Sequence, residues 1–217
     1  MKITLLGTGT SQGVPVITCD CKVCTSPVLK DKRLRSSVMI EVDKKVFVID
    51  TGPDFRQQML REKVGRLDAV LFTHHHKDHV AGMDDVRAFN HRWKEDIQVY
   101  CTRITEDALK NEFPYVFSEN KYPGTPKVNI NTIGNKNFMI QDTIITPIEA
   151  RHYLMPVLGF RIKNFVYLTD VSFISFDEKN KMKNADLIIL DALRKEKHIS
   201  HFSLDQALEL LEELKPK

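Results

Sequence analysis

Short apolar runs, broken by polar turns, dominate the chain. "KITLL" (2–6) reads as a first strand, ended by "GTGTSQGVP". "SVMIEV" (37–42) and "KVFVID" (45–50) read as two more, with "DKK" supplying the turn between them. "TGPDFRQQMLREK" opens a helix with Pro53 near its first turn. "RLDAVLFT" (66–73) is a buried strand that runs into "HHHKDH". A helix is predicted over 83–93, a strand at "IQVYC", and a helix at "TEDALKNEFPYVF" that stops or kinks before Pro114. The polar stretch 118–136 reads as a loop. "NFMIQDTIITPIEA" reads as a hairpin, "VLGFRI" and "FVYLTD" as strands turning at "KN", and "ADLIILDA" as an apolar strand. In "SLDQALELLEELKPK", Leu204, Ala207, Leu208, Leu211 and Leu214 fall at helical spacing, with Ser203 placed to cap. Strands, then helices, then strands, then a helix favour two sheets packed together with helices outside.

Composition narrows the class. At 217 residues, 42% of them hydrophobic, the chain suits one domain spanning 1–217. A net charge of +3 is well short of a nucleic-acid footprint, so nucleic acid is not an expected partner. The start "MKITLLGTGT" holds too short an apolar run for a signal peptide, and no stretch approaches the roughly 20 apolar residues of a membrane span. The expected location is the cytoplasm, with no membrane partner. There, clustered cysteines read as metal ligands in preference to disulfides.

"GTGTSQG" looks like a dinucleotide fingerprint, but its spacing is GxGxxxG and an extended "VPVI" follows where a helix is required. It reads instead as a tight turn whose glycines let another backbone come close. "TCDCKVC" places Cys19, Cys21 and Cys24 within six positions, three of the four ligands of a closed zinc site. The only other cysteine is Cys101.

The strongest chemical signal is "FTHHHKDHVAG", in which His74, His76, Asp78 and His79 form HxHxDH where a buried strand hands over to a loop. Residues i and i+2 of an extended backbone point to one side, so His74 and His76 can serve one metal, while Asp78 and His79 on the next turn can serve a second. Two metals need further ligands, and His152 in "EARHYLMP" and Asp170 in "VYLTDVS" follow strands at suitable places. Asp170 alone could equally cap a helix starting near Val171.

With these residues in place, the chain resembles the metallo-β-lactamase superfamily from end to end. "GTGTSQGVP", "CDCKVC", "RSS", "DTGPDFR" and "HISHFSLDQAL" make it similar to the PhnP-like phosphodiesterases, which open a cyclic phosphate of phosphoribose. The resemblance implies an α/β fold, the αββα sandwich of two mixed sheets with helices on the outer faces. It implies two divalent ions, Zn²⁺ or Mn²⁺. His74, His76 and His152 would hold the first, Asp78 and His79 the second, and Asp170 would bridge them. Asp50 would orient the metal loop from behind. A loop over 14–30 would be stapled by a structural Zn²⁺ on Cys19, Cys21 and Cys24. The implied reaction is attack of a metal-bound hydroxide on a small, cyclic phosphodiester. Asp78 and His201 are the catalytic residues, His201 as proton donor to the leaving group.

The family's last strand and its histidine turn, which would give the second ion a further histidine and the cysteine site its fourth ligand, have no counterpart before Lys217. Truncation near there is the favoured expectation, with a natural short form holding one metal, or ligands lent by another subunit, as alternatives. A ribonuclease Z-like activity, a lactone or thioester hydrolase on the same fold, and a metal-binding protein without catalysis stay open as rivals. A homodimer stays open too. Arg33, Arg35, Arg56 and Arg151 are candidate phosphate partners.

Overall fold

The computed structural model describes residues 1–217. By its internal contacts the chain divides into two compact units, Met1–Thr132 and Ile133–Lys217.

The first unit is built from β1 (Lys2–Gly7), β2 (Ser37–Val42), β3 (Lys45–Ile49), α1 (Phe55–Arg61), β4 (Ala69–Leu71), α2 (Lys77–Val80), α3 (Arg87–Trp93), β5 (Ile97–Cys101), α4 (Arg103–Glu112), α5 (Pro114–Phe117) and β6 (Val128–Thr132). Its sheet runs in the order β1-β2-β3-β4-β5-β6. The β1–β2 and β2–β3 pairs are antiparallel, and the pairs from β3 through β6 are parallel. The β2–β3 turn places Asp43 and Lys44 at φ 49° and 63°, the mirror-image turn that suits the strand twist. Val48, Val70, Phe72 and Val99 are fully buried in the core of this unit, with Phe55 from α1 and Leu109 from α4.

The second unit holds β7 (Phe138–Ile140), β8 (Thr143–His152), β9 (Met155–Ile162), β10 (Phe165–Tyr167), β11 (Phe173–Ile174), α6 (Phe176–Met182), β12 (Leu187–Ile189) and α7 (Leu204–Leu214). Its strands run β11-β8-β9-β10-β12, with β7 on β8. All pairs are antiparallel except β10–β12. Ile148, Val157, Val166 and Leu168 of the sheet bury against Met182 of α6 and Leu210 of α7. Two mixed sheets with helices are the α/β class that the sequence led us to expect. No helix is long and apolar enough to cross a membrane.

Four local expectations change. The stretch 118–136 contains β6, whose half-buried Val128 and Ile130 alternate with polar residues on an edge strand and are lost among them. The buried stripe of α7 is Ala207, Leu210 and Leu214, while Leu204 and Leu208 are exposed. In a leucine-rich helix, two stripes are equally apolar, and the entry of the chain decides between them. That entry is fixed by the Leu204 N–H on the Arg194 carbonyl and by a capping box of Ser203 with Gln206. Helix α1 begins after Pro53, because Asp54 binds the Arg35 N–H at 2.8 Å and the Arg35 guanidinium at 3.0 Å. No helix starts near Val171; β11 follows instead, and Ser175 caps α6.

Candidate metal centre

In the first unit, β3 and β4 are parallel neighbours, in register from Phe47↔Ala69 to Ile49↔Leu71. Their carboxyl ends therefore open side by side, the usual place for chemistry on a parallel sheet. Asp50 follows β3, and Thr73-His74 follow β4. The Asp50 N–H donates to the Leu71 carbonyl at 3.0 Å, and the Asp50 backbone sits at φ 63°, a left-handed state that Asp tolerates better than most residues. Its carboxylate is fully buried.

Three donors converge on that carboxylate. They are the Thr73 N–H at 2.9 Å, the Thr73 hydroxyl at 2.8 Å and His79 Nδ1 at 2.7 Å. Burial pushes the Asp50 carboxyl up, and His79 and Thr73 pull against it. The Thr73 hydroxyl has one proton, given to Asp50. Its contact at 2.9 Å with His74 Nδ1 is therefore one in which the histidine donates. His74 and His79 thus both carry the proton on Nδ1, which makes Nε2 the ligating atom of each. The two rings lie with centroids 4.2 Å apart, and that of His76 lies 4.7 Å from His74. His79 Nε2 is 3.2 Å from an Asp78 oxygen. The predicted HxHxDH set is thus assembled, with a supporting hydrogen bond behind His74 and behind His79.

The second unit brings three candidates together. His152 Nδ1 is 2.8 Å from the Ser200 carbonyl, an acceptor only, so this histidine also carries its proton on Nδ1. Asp170 follows β10 at φ 55° and accepts from the Thr169 hydroxyl at 2.9 Å. His201 Nδ1 lies 2.9 Å from Asp191 Oδ2, which also accepts the Val171 N–H at 3.2 Å. One ligand-type atom each from His152, Asp170 and His201 lie within 4.8 Å of one another.

The donor chemistry fits divalent cations. Neutral imidazoles with Nδ1 tied to a carboxylate, hydroxyl or carbonyl are the usual form of metal-binding histidines, and carboxylates complete such sets. In the first unit, the sulfurs of Cys19, Cys21 and Cys24 also lie within 4.8 Å of one another. The Cys21 thiol is pulled down to about 7, first by the Cys24 N–H and then by the Cys19 thiol, toward the thiolate that zinc requires. The loop carrying them is closed at its base by the Val14–Arg33 bridge.

Asp191, Thr73 and the Ser200 carbonyl were not among the sequence candidates. Asp191 had a visible signal: it ends an apolar strand, as Asp50 and Asp170 do. Arg35 leaves the list of phosphate partners, because its guanidinium is engaged by Asp54 at 3.0 Å and the Ser11 carbonyl at 2.7 Å.

Residues 45–217 match the family model described as the beta-lactamase superfamily domain. The chain is 37% identical to a protein whose crystal structure is described as that of a new diphosphatase from the PhnP family. The alignment covers 99% of this chain and 83% of that one, with a TM-score of 0.92. It is 38% identical over 214 residues to an octanoyltransferase of Porphyromonas gingivalis, covering 97% of this chain but only 43% of that protein. The Zn²⁺-bound PqqB of Methylobacterium extorquens shares the fold at 20% identity, with a TM-score of 0.74 over 90% of this chain and 74% of that one. The chain belongs to the beta-lactamase superfamily and, within it, to the PhnP-like hydrolases.

Proposed function

We propose that the protein hydrolyses a small phosphodiester, with cyclic phosphates as the favoured form, at a centre of two divalent ions. The observation that carries this reading is the shared tautomer of His74, His79 and His152, each set by a hydrogen bond at Nδ1. In the arrangement that family membership implies, His74, His76 and His152 would hold one ion, Asp78 and His79 would hold the other, and Asp170 would be a ligand to both. Bound there, Zn²⁺ or Mn²⁺ supplies an acidified water and neutralises charge on the phosphoryl oxygens.

The side chains do the rest. Asp50 and Thr73 hold the His74 and His79 rings in place. His201 keeps its Nδ1–H on Asp191, so the proton it gives to the departing oxygen is the one on Nε2. The carboxylate of Asp191 holds the ring in that orientation. Cys19, Cys21 and Cys24 would supply three of the ligands of a structural Zn²⁺ that ties the 14–30 loop.

A diphosphate is the second reading, favoured by the diphosphatase among the similar structures. Acyl transfer is not carried over from the much longer Porphyromonas protein. The test is metal analysis followed by turnover of cyclic phosphates, bis(p-nitrophenyl) phosphate, diphosphates, lactones and thioesters. Cyclic or linear diesters should lead, and His76→Ala and Asp170→Ala should lose both metal and turnover. Preference for diphosphates would select the second reading. Lactone or thioester cleavage without phosphorus chemistry would sink both.

A further inference from the structure

Two glycines flank the ligand turn with no room for a side chain. A Cβ on Gly52 would lie 2.0 Å from the Asp78 carbonyl oxygen. A Cβ on Gly82 would lie 2.1 Å from the Gly52 carbonyl oxygen and 2.8 Å from the Phe55 Cβ. Real Cβ atoms do not come so near backbone oxygen, so either methyl group must move the backbone it faces. Neither glycine is needed for a left-handed conformation: Gly82 sits at φ −90°. The requirement is space alone.

The close approach lets hydrogen bonds form that a wider spacing would break. The Thr51 N–H donates to the His79 carbonyl at 2.8 Å, and the Gly82 N–H donates to the Thr51 carbonyl at 2.8 Å. The Phe55 N–H donates to the Gly52 carbonyl at 3.0 Å, which anchors the start of α1 to the same point. Three backbone segments, 50–52, 78–79 and 82, are thereby locked in one stack. The segment that carries Asp50 is tied to the turn that carries Asp78 and His79.

We infer that Gly52 and Gly82 are positioning residues for the metal centre. By admitting no side chain, they seat the Asp50–Gly52 segment against the Asp78–His79 turn and so set where Asp78 and His79 Nε2 point. The inference rests on reading Asp78 and His79 as metal ligands. A methyl group at either glycine must open its contact of 2.0 or 2.1 Å by about an ångström or more against backbone, a shift that a metal coordination shell does not absorb.

The experiment titrates Co²⁺ into the metal-free full chain with the thiols of Cys19, Cys21 and Cys24 alkylated beforehand, so that only the histidine–carboxylate centre is read, following both affinity and the visible d–d band. Gly52→Ala, Gly82→Ala, Asp78→Ala and the control Gly65→Ala are compared with the unchanged protein. A Cβ on Gly65 meets nothing within 4 Å, so Gly65→Ala should bind as the parent does. Gly52→Ala and Gly82→Ala should lose about 10- to 100-fold in affinity, the usual cost of disturbing the support behind a metal ligand, and should shift the band. Their metal-free forms should keep the parent's circular dichroism and cooperative unfolding. Parent-like affinity and band in both glycine variants would overturn the inference. So would collapse of both metal-free folds, because the glycines would then serve the fold as a whole. Asp78→Ala separates the two levels. If it binds Co²⁺ like the parent, the ligand reading itself fails. If it weakens binding while the glycine variants do not, only the positioning role fails.

Discussion

His201 Nδ1 meets Asp191 Oδ2 at 2.9 Å, and the same oxygen takes the Val171 N–H at 3.2 Å. The carboxylate is thus anchored to the backbone that follows Asp170, and the imidazole is anchored to the carboxylate. The Phe202 N–H on the Val171 carbonyl at 2.7 Å closes the other side of the same small frame. His201 Nδ1 is thus held by Asp191, and both residues are fixed relative to the backbone at Val171.

This frame predicts a dependence on the leaving group. His201→Ala should keep its metals and lose about 10²–10⁴-fold in kcat on a diester with a poor leaving group, the scale of acid–base help. With p-nitrophenolate, which departs without a proton, the loss should be small. Asp191→Asn should follow the same pattern at smaller amplitude, since the ring stays but loses the carboxylate that orients it. Equal losses on both leaving groups would remove His201 from proton transfer.

His152 and Ser200 make a second separable case. The acceptor for His152 Nδ1 is the Ser200 main-chain carbonyl, so the serine side chain is not part of the contact. Ser200→Ala should therefore leave metal affinity and turnover within about twofold, as expected of a substitution that removes no partner of the ligand. His152→Ala should cost both. Isothermal titration of the metal-free chain with Zn²⁺ reads the difference, and a large loss in Ser200→Ala would contradict the assigned contact.

The carboxylate of Asp50 receives three donors, and an amide oxygen cannot serve them all. Asp50→Asn should weaken metal binding by about 10- to 100-fold while the chain still folds. Thr73→Val is the companion test, because the Thr73 hydroxyl both donates to Asp50 and accepts from His74. Thr73→Val should weaken binding and Thr73→Ser should restore it. Equal binding by all three variants would show that the support behind the histidines is dispensable.

The legibility of this site follows the type of contact. HxHxDH could be read because its four side chains lie within six residues, where a strand changes into a turn. Asp50 and Asp170 could be read as strand-end carboxylates. Asp191 has the same position, yet it was absorbed into "ADLIILDA", because its partner His201 lies ten residues further on and no local pattern links them. The Ser200 carbonyl and the space at Gly52 leave no trace in residue type, since both depend on the backbone path. The same reason hid β6 and the rotation of α7. An edge strand of "VNINT" buries too little to stand out, and a leucine-rich helix offers more than one apolar face.

Glu178 gives a prediction about stability that is independent of the metal centre. It lies in α6, largely buried, and accepts from the Glu149 N–H at 2.8 Å, Asn135 Nδ2 at 2.9 Å and Lys181 Nζ at 2.8 Å. Burial alone would raise its carboxyl, but the Lys181 ammonium, the Asn135 amide and the Glu149 N–H outweigh that and hold it below the ordinary glutamate value. A carboxylate with a lowered folded-state value favours the folded form when ionised. Its contribution is complete above the unfolded value of about 4.3 and is lost as the pH falls through the lower folded one. Glu178→Gln removes the charge but keeps an acceptor. It should lower stability at pH 7 by about 1–3 kcal/mol, the range for hydrogen bonds to a charged group. The gap from the parent should close as the pH falls below the unfolded value and through the lower folded one, where the parent's own carboxylate takes up its proton. Urea unfolding at pH 7 and across the acid limb measures it. A gap that stays constant down to pH 3 would mean that packing, and not the ionised carboxylate, is what Glu178 contributes to α6 and β8.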